Sequence, residues 1–214
     1  MKTITVKGVG RATVKPDSVV LSVSMETTDK QYDKAMEYAA ARIDLLTSTL
    51  CEIGFDKDAL KTTDFDVSEA RQSVKDPDGN YKSVFVGYKC THRLKLQFDF
   101  DVKRLGEVLS TISKSLVEPT MSVDFTVKDP TAVSGELLVS ATQNAREKAQ
   151  ILCKAAGVSL GELVAIDYNW QDINLRSYTT YDCTPVLAKC NAAVDITPDD
   201  IVANDAATFV WEIC

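Results

Sequence analysis

Hydrophobic residues recur along this chain at two periods, and the alternation between them sets out the elements. Over residues 3–14, Ile4, Val6, Ala12 and Val14 fall on one side and Thr5, Lys7, Arg11 and Thr13 mostly on the other, the pattern of a half-buried strand. Pro16-Asp17 breaks it, and a second strand follows with Val19, Leu21, Val23 and Met25 inward. Thr28 and Gln31 have the spacing of a capping box. The helix they predict runs to about Glu52, with Tyr32, Ala35, Met36, Ala39, Ile43, Leu46, Leu50 and Ile53 on its apolar face and Gly54 at its end. Residues 60–72 read as a strand and Asp76-Pro77-Asp78-Gly79-Asn80 as a turn. The turn leads into an unusually long strand. Val84, Val86, Tyr88, Cys90, Leu94, Leu96, Phe98 and Phe100 keep one parity for about 17 residues, against a usual five or six. These two strands form a hairpin. Asp101 caps a second helix carrying Leu105, Val108, Leu109, Ile112 and Leu116, which ends before Pro119; Met121, Val123, Phe125 and Val127 then alternate as a strand.

The most strongly signalled element runs from Asp129 to Gly161. Asp129 is placed as an N-cap, Pro130 suits the first helical position, and Gly157 sits where a left-handed C-cap residue belongs. Val133, Leu137, Leu138, Ala141, Ala145, Ala149, Leu152 and Ala156 make a mostly alanine stripe, so whatever packs on this helix comes close. A strand over about 163–170, an aperiodic loop over 171–198 and a short strand from about Ala207 to Ile213 complete the chain. The expected fold class is α+β: a largely antiparallel twisted sheet of long strands with about three helices packed on it, in a single domain over 1–214.

Composition narrows the function classes. Of 214 residues, 45% are hydrophobic and 26% charged, as in an ordinary globular protein. The net charge of −7 argues against nucleic acid or anionic membranes as partners. No apolar run approaches the roughly 20 residues that span a bilayer. The alternating N-terminus lacks the apolar core of a signal peptide, which predicts a cytoplasmic chain as written; periplasm or envelope follows if a signal sequence has been removed. Six cysteines at irregular spacing, with no Cys-x-x-Cys, read as reduced thiols.

Few residues invite chemistry. Gly8-Val9-Gly10 lacks the third glycine and the following helix of a dinucleotide loop, so a bulge or a close backbone contact is expected there. The sole histidine, His92, falls on the apolar face of the long strand and reads as a hydrogen-bonded core residue, which leaves no partner for a catalytic triad. Zinc-ligand spacing, a phosphate loop and a Gly-x-Ser-x-Gly elbow are all missing, so no cofactor or metal is expected. An EF-hand aligned on Gly79 would put Val74 and Phe85 at ligand positions and fails. Asp64, Asp66 and Glu69, like Asp195, Asp199, Asp200 and Asp205, read as solvated acids; Lys103-Arg104 and Arg146-Glu147-Lys148 read as solvated helix positions. The loop over 171–198 offers Arg176, Tyr178 and Tyr181 as first contacts for a ligand, and Cys183 with Cys190 as a candidate redox pair.

Taken together, several stretches resemble the SIMPL domain family. Ile4-Thr5-Val6-Lys7-Gly8-Val9-Gly10 with Pro16-Asp17 looks like the family's opening signature. Asp129-Pro130, Ala141, Ala145, Lys148-Ala149, Gly157 and Leu160-Gly161 look like its second, and Tyr88 to Phe98 stands where the family has its long strand. The resemblance implies an α+β fold, exported bacterial relatives, some linked to oxidative-stress defence, and ring-like or other homo-oligomers. It implies no catalytic residues, and Cys153, where relatives often have a small residue, is expected to pack. The leading expectation is a non-enzymatic, self-associating scaffold or stress-related protein. The alternatives are a small-molecule or peptide binding module using the 171–198 loop, and a thiol redox protein.

Overall fold

The computed structural model describes residues 2–75, 77, 79–115, 119–169, 172–183 and 196–214. In chain order the elements are β1 (Thr3–Val14), β2 (Ser18–Asp29), α1 (Tyr32–Glu52), β3 (Leu60–Lys75), β4 (Tyr81–Asp99), α2 (Val102–Lys114), β5 (Thr120–Thr126), α3 (Pro130–Ala156), β6 (Leu160–Asp167), β7 (Arg176–Cys183) and β8 (Ile201–Ile213). The fold class is α+β, with the strands in two antiparallel sheets rather than one. The three-stranded sheet has the order β1-β8-β6 and the five-stranded sheet β3-β4-β2-β5-β7. The chain divides into two compact units, one built from residues within 1–17, 126–178 and 198–214, the other from 18–125 and 179–197.

In the first unit, β1 and β8 pair without interruption from Thr3↔Glu212 to Val14↔Ile201. The alternation in β1 therefore meets a matching alternation in β8, and Val6, Ala207, Phe209 and Trp211 bury one face against Ala145 and Ala149 of α3. A second cluster gathers Val133 and Leu137 with Val127, Leu175, Ile201 and Ala203. Helix α3 is bounded as its sequence requires: the Asp129 carboxylate accepts from the Thr131 and Ala132 N–H groups, and Gly157 closes the helix at φ 73°. Its buried row advances by fours through Val133, Leu137, Ala141, Ala145, Ala149 and Cys153. The expected Leu152 is half exposed, and Cys153 packs in its place.

In the second unit, Val19, Leu21, Val23 and Met25 of β2, Leu94 and Leu96 of β4, and Met121, Val123 and Phe125 of β5 form one core with Leu46 and Leu50 of α1 and Leu105, Val108, Leu109 and Ile112 of α2. Three expectations need correcting, here and in β7 and β8. Helix α1 is not capped by Thr28: β2 continues to Asp29 because its residues stay paired with β4 as far as Asp29↔Tyr88, and Gln31 becomes the N-cap without a side-chain bond. The stretch expected as a loop over 171–198 contains β7, an edge strand held by pairing rather than by hydrophobic alternation. Finally, β8 begins at Ile201, six residues earlier than its apolar pattern suggests, because it pairs along the whole of β1.

Candidate functional site

Two features stand out, one in each unit. The first is the seam between β1 and α3. A Cβ built on Gly8 would lie 2.1 Å from the Ala141 carbonyl oxygen, and one on Gly10 would lie 2.0 Å from that of Leu137. The Gly-x-Gly is therefore a close backbone contact, with no bulge, and the alanine stripe is its other half. β1 is the edge of its sheet, yet three of its outward backbone groups are occupied by α3 side chains. Arg11 N–H donates to Ser140 Oγ at 3.2 Å, Val9 N–H donates to Asn144 Oδ1 at 3.0 Å, and Lys148 Nζ donates to the Lys7 carbonyl at 3.2 Å. Four helical residues rise about 6 Å and two strand residues about 6.7 Å, so a row spaced by fours can follow an antiparallel strand for three rungs. Lys148 is thus a structural donor, not the simply solvated position expected of it. An open cavity of about 480 Å³ runs beside this row, lined also by Gln143 and Glu147.

The second feature is the hairpin of β3 and β4. Where it pairs with β2, the inward face is covered. Beyond that, every residue of β3 over 71–75 and of β4 over 81–86 is exposed, whichever face it takes. The clean parity of Val84 and Val86 therefore does not correspond to burial, and Phe65, Val74, Tyr81, Val84, Phe85 and Val86 all stand in solvent. Near the base sits His92, which is 8% exposed. Its Nε2 is 2.9 Å from Thr62 Oγ1, Phe65 meets its ring edge-on at 4.9 Å, and its Nδ1 has no partner among the described residues. Burial holds its pKa below the ordinary histidine value. It is the core histidine the pattern predicts. Next to it on the same face, burial pushes the Cys90 thiol up.

The other sequence candidates fall apart in space. Alternation along β7 puts exposed Arg176 and Tyr178 on one face and half-buried Tyr181 on the other, packed against the second unit's core. Cys190 and the Cys183 side chain lie outside the described residues, as does Asp195; Cys51, Cys90, Cys153 and Cys214 are free thiols. Among the described residues no group of three or more His, Cys, Asp or Glu could hold a metal ion. Asp64 pairs with Arg93 at 2.7 Å and Arg104 with Glu107 at 2.7 Å, while Asp205 accepts from the Tyr168 hydroxyl at 2.9 Å and so pushes that phenol's pKa up. No helix among the described residues is long and apolar enough to cross a membrane.

The seam joins the two stretches that identified the chain from its residues, and comparison with known proteins agrees with that. The model of the SIMPL family, described as a protein of unknown function (DUF541), matches residues 4–211. The chain belongs to the SIMPL family. Two curated relatives are similar to it, each named 26 kDa periplasmic immunogenic protein. The one from Brucella abortus is 25% identical over 163 residues and the one from Brucella melitensis 24% over the same length. Each match covers 76% of this chain, and the chain spans 65% of the relatives' length. The SIMPL signatures now have a physical reading. Gly8 and Gly10 of the first close on Ala141 and Ala145 of the second, and Lys148 ties the two together. Asp17 accepts from the Lys128 N–H just before the Asp129 cap. The ladder residues Ser140 and Asn144 escaped the sequence reading. Their spacing by fours, one position before each buried alanine, is the signal that could have found them.

Proposed function

We propose that this SIMPL protein is a non-enzymatic scaffold that assembles with copies of itself through the β3–β4 hairpin. The carrying observation is the exposed length of that hairpin, which bears Phe65, Val74, Tyr81, Val84, Phe85 and Val86 in solvent beside a strand that ends its sheet. Two paired strands alone are marginally stable in water, and an exposed edge next to apolar side chains is a pairing surface. The described residues bring no nucleophile, base and orienting group together, which supports a role in binding over one in catalysis. Light scattering at tens of micromolar tests the reading: a mass above the monomer is expected, and a strict monomer would refute it.

The relatives' name supports a periplasmic location over the cytoplasmic one expected from the N-terminus. Fractionation of the cell that makes this chain decides it, and recovery solely in the cytosol would refute a periplasmic role.

A further inference from the structure

We infer that the partner taken up by the hairpin is a second copy of the same strand, β3 against β3 in antiparallel order, with Ala70 opposite Ala70. The inference rests on the self-association reading and specifies its interface. An added strand must enter at a sheet edge, and the edges here are unequal. Of the four described strands that end a sheet, β1 is occupied by Ser140, Asn144 and Lys148, β6 is irregular, with register shifts at Leu160/Leu163 and Leu163/Ala165, and β7 is only 8 residues long against 16 for β3. β3 ends its sheet, its residues from Lys61 on are exposed or half-buried, and among the described strands it pairs with β4 on one side only. From Asp64 to Lys75 every β3 residue has a β4 partner in sequence; the irregularity at Ala70/Arg71 places its extra residue, Val86, in β4. The outer edge is therefore regular where pairing would occur.

Charge selects the partner and the register. Acidic residues occupy the first part of this stretch (Asp64, Asp66 and Glu69) and basic ones the second (Arg71 and Lys75). Edge charges of a single sign repel any added strand. Charges sorted by sign along the strand instead repel a parallel copy and attract an antiparallel one. In a twofold antiparallel pair, opposed residues share a face. With Ala70 on the axis, Glu69 stands opposite Arg71 of the second copy and Arg71 opposite its Glu69, while Phe65 stands opposite Lys75. The next registers on either side oppose Glu69 to Glu69 or Arg71 to Arg71. Within one chain Glu69 and Arg71 are already 2.9 Å apart and half exposed, so pairing makes one four-charge cluster from two ion pairs. Ala70, the smallest side chain nearby, lies where the two strands cross the axis.

Charge reversal tests the interface, using the full chain. Glu69→Arg puts arginine opposite arginine in the pair, and Arg71→Glu puts glutamate opposite glutamate. By sedimentation velocity each variant alone is expected to associate on the order of tenfold more weakly than the parent. Mixed one to one, a strand with arginine at both positions faces a strand with glutamate at both, and the parental association returns as a mixed pair. Circular dichroism of each variant verifies that the exposed substitutions leave the fold intact. If both variants associate like the parent, or if mixing fails to restore association, the β3 interface is wrong while self-association stands. A monomeric parent overturns both.

Discussion

Replacing Gly8 with alanine is expected to cost about 3 kcal/mol of the first unit's stability, although the backbone there is ordinary strand. The added Cβ would sit 2.1 Å from the Ala141 carbonyl oxygen and 2.8 Å from the Ala145 Cβ. Carbon and oxygen in contact need a little over about 3 Å, so α3 must lift by about 1 Å or β1 must sink away from it. A gap of 0.5–1 Å forfeits roughly a quarter to a half of each dispersion well it opens. Leu137, Ala141, Ala145 and Ala149 are fully buried in that contact, and an overpacked core site costs about 1–3 kcal/mol. The same shift stretches the Asn144 and Ser140 hydrogen bonds to Val9 and Arg11, each worth about 1 kcal/mol. Against this stands the gain of about 0.4–1 kcal/mol that alanine gives wherever a glycine's conformation suits it, so the sign of the effect is diagnostic. Urea unfolding followed by tryptophan fluorescence measures it, since Trp211 is buried in this unit and stacked on Phe209 at 5.5 Å. Gly135→Ala, on the same helix with nothing within 4 Å of its Cβ, is the control and should be neutral or stabilising. If Gly8→Ala unfolds at the urea concentration of that control, the close-contact account of the Gly-x-Gly is wrong.

Three further outcomes follow from the same geometry. Exchanging Ser140, Asn144 and Lys148 together for alanine should leave α3 helical but speed amide exchange at Val9 and Arg11 by about tenfold, the equivalent of one lost hydrogen bond each; unchanged protection would show that the row does not hold the edge. His92 binds its proton less readily folded than unfolded, so its contribution to stability is complete above the unfolded value of about 6.5 and declines as pH falls below it. A drop in the urea midpoint between about pH 7.5 and 5.5 should therefore shrink in His92→Gln, and an identical drop in both proteins would remove His92 as its cause. Asp129→Ala removes the acceptor for two N–H groups at the start of α3 and should cost about 1 kcal/mol in the same urea assay, with a cost below a few tenths counting against the cap.

The helices were legible because their signals are local. The Asp101 and Asp129 caps, the αL glycine after α3 and the apolar rows all act within a turn or two of the residues that encode them. The strands were legible in part. β1, β2 and β5 alternate because one face is buried, whereas β7 and the first half of β8 are held by neighbours distant in sequence. Residues such as Asn204 and Asp205 look like loop until β1 supplies their pairing. The division into two sheets left no trace in the pattern, since period two reports a buried face and is silent on which strand lies alongside. The outer hairpin misled for a related reason: Val84 and Val86 keep the parity of Cys90 and Leu94, but none of the described helices covers them.

Where the recognisable residues lie explains why recognition came more easily than function. The glycines, the alanines and the Asp-Pro start that mark the chain as a SIMPL protein meet in one seam, where small residues and caps are demanded by backbone approach. A motif of that kind reports a packing solution, and packing of this closeness tolerates few alternatives, so it is specific without being chemical. The hairpin has the opposite character. Phe65 and Phe85 make edge contacts with His92 and Tyr88, but Val74, Tyr81, Val84 and Val86 stay exposed, and its sorted charges make exposed ion pairs such as Glu69–Arg71. Phe65 and Val74 lie on the edge strand β3 and Tyr81, Val84, Phe85 and Val86 on β4 beside it, and these exposed apolar positions are what the proposed self-association would account for. The seam occupies outward groups of β1 at Lys7, Val9 and Arg11, whereas β3 pairs on one side only among the described strands, and the proposed self-association rests on that difference.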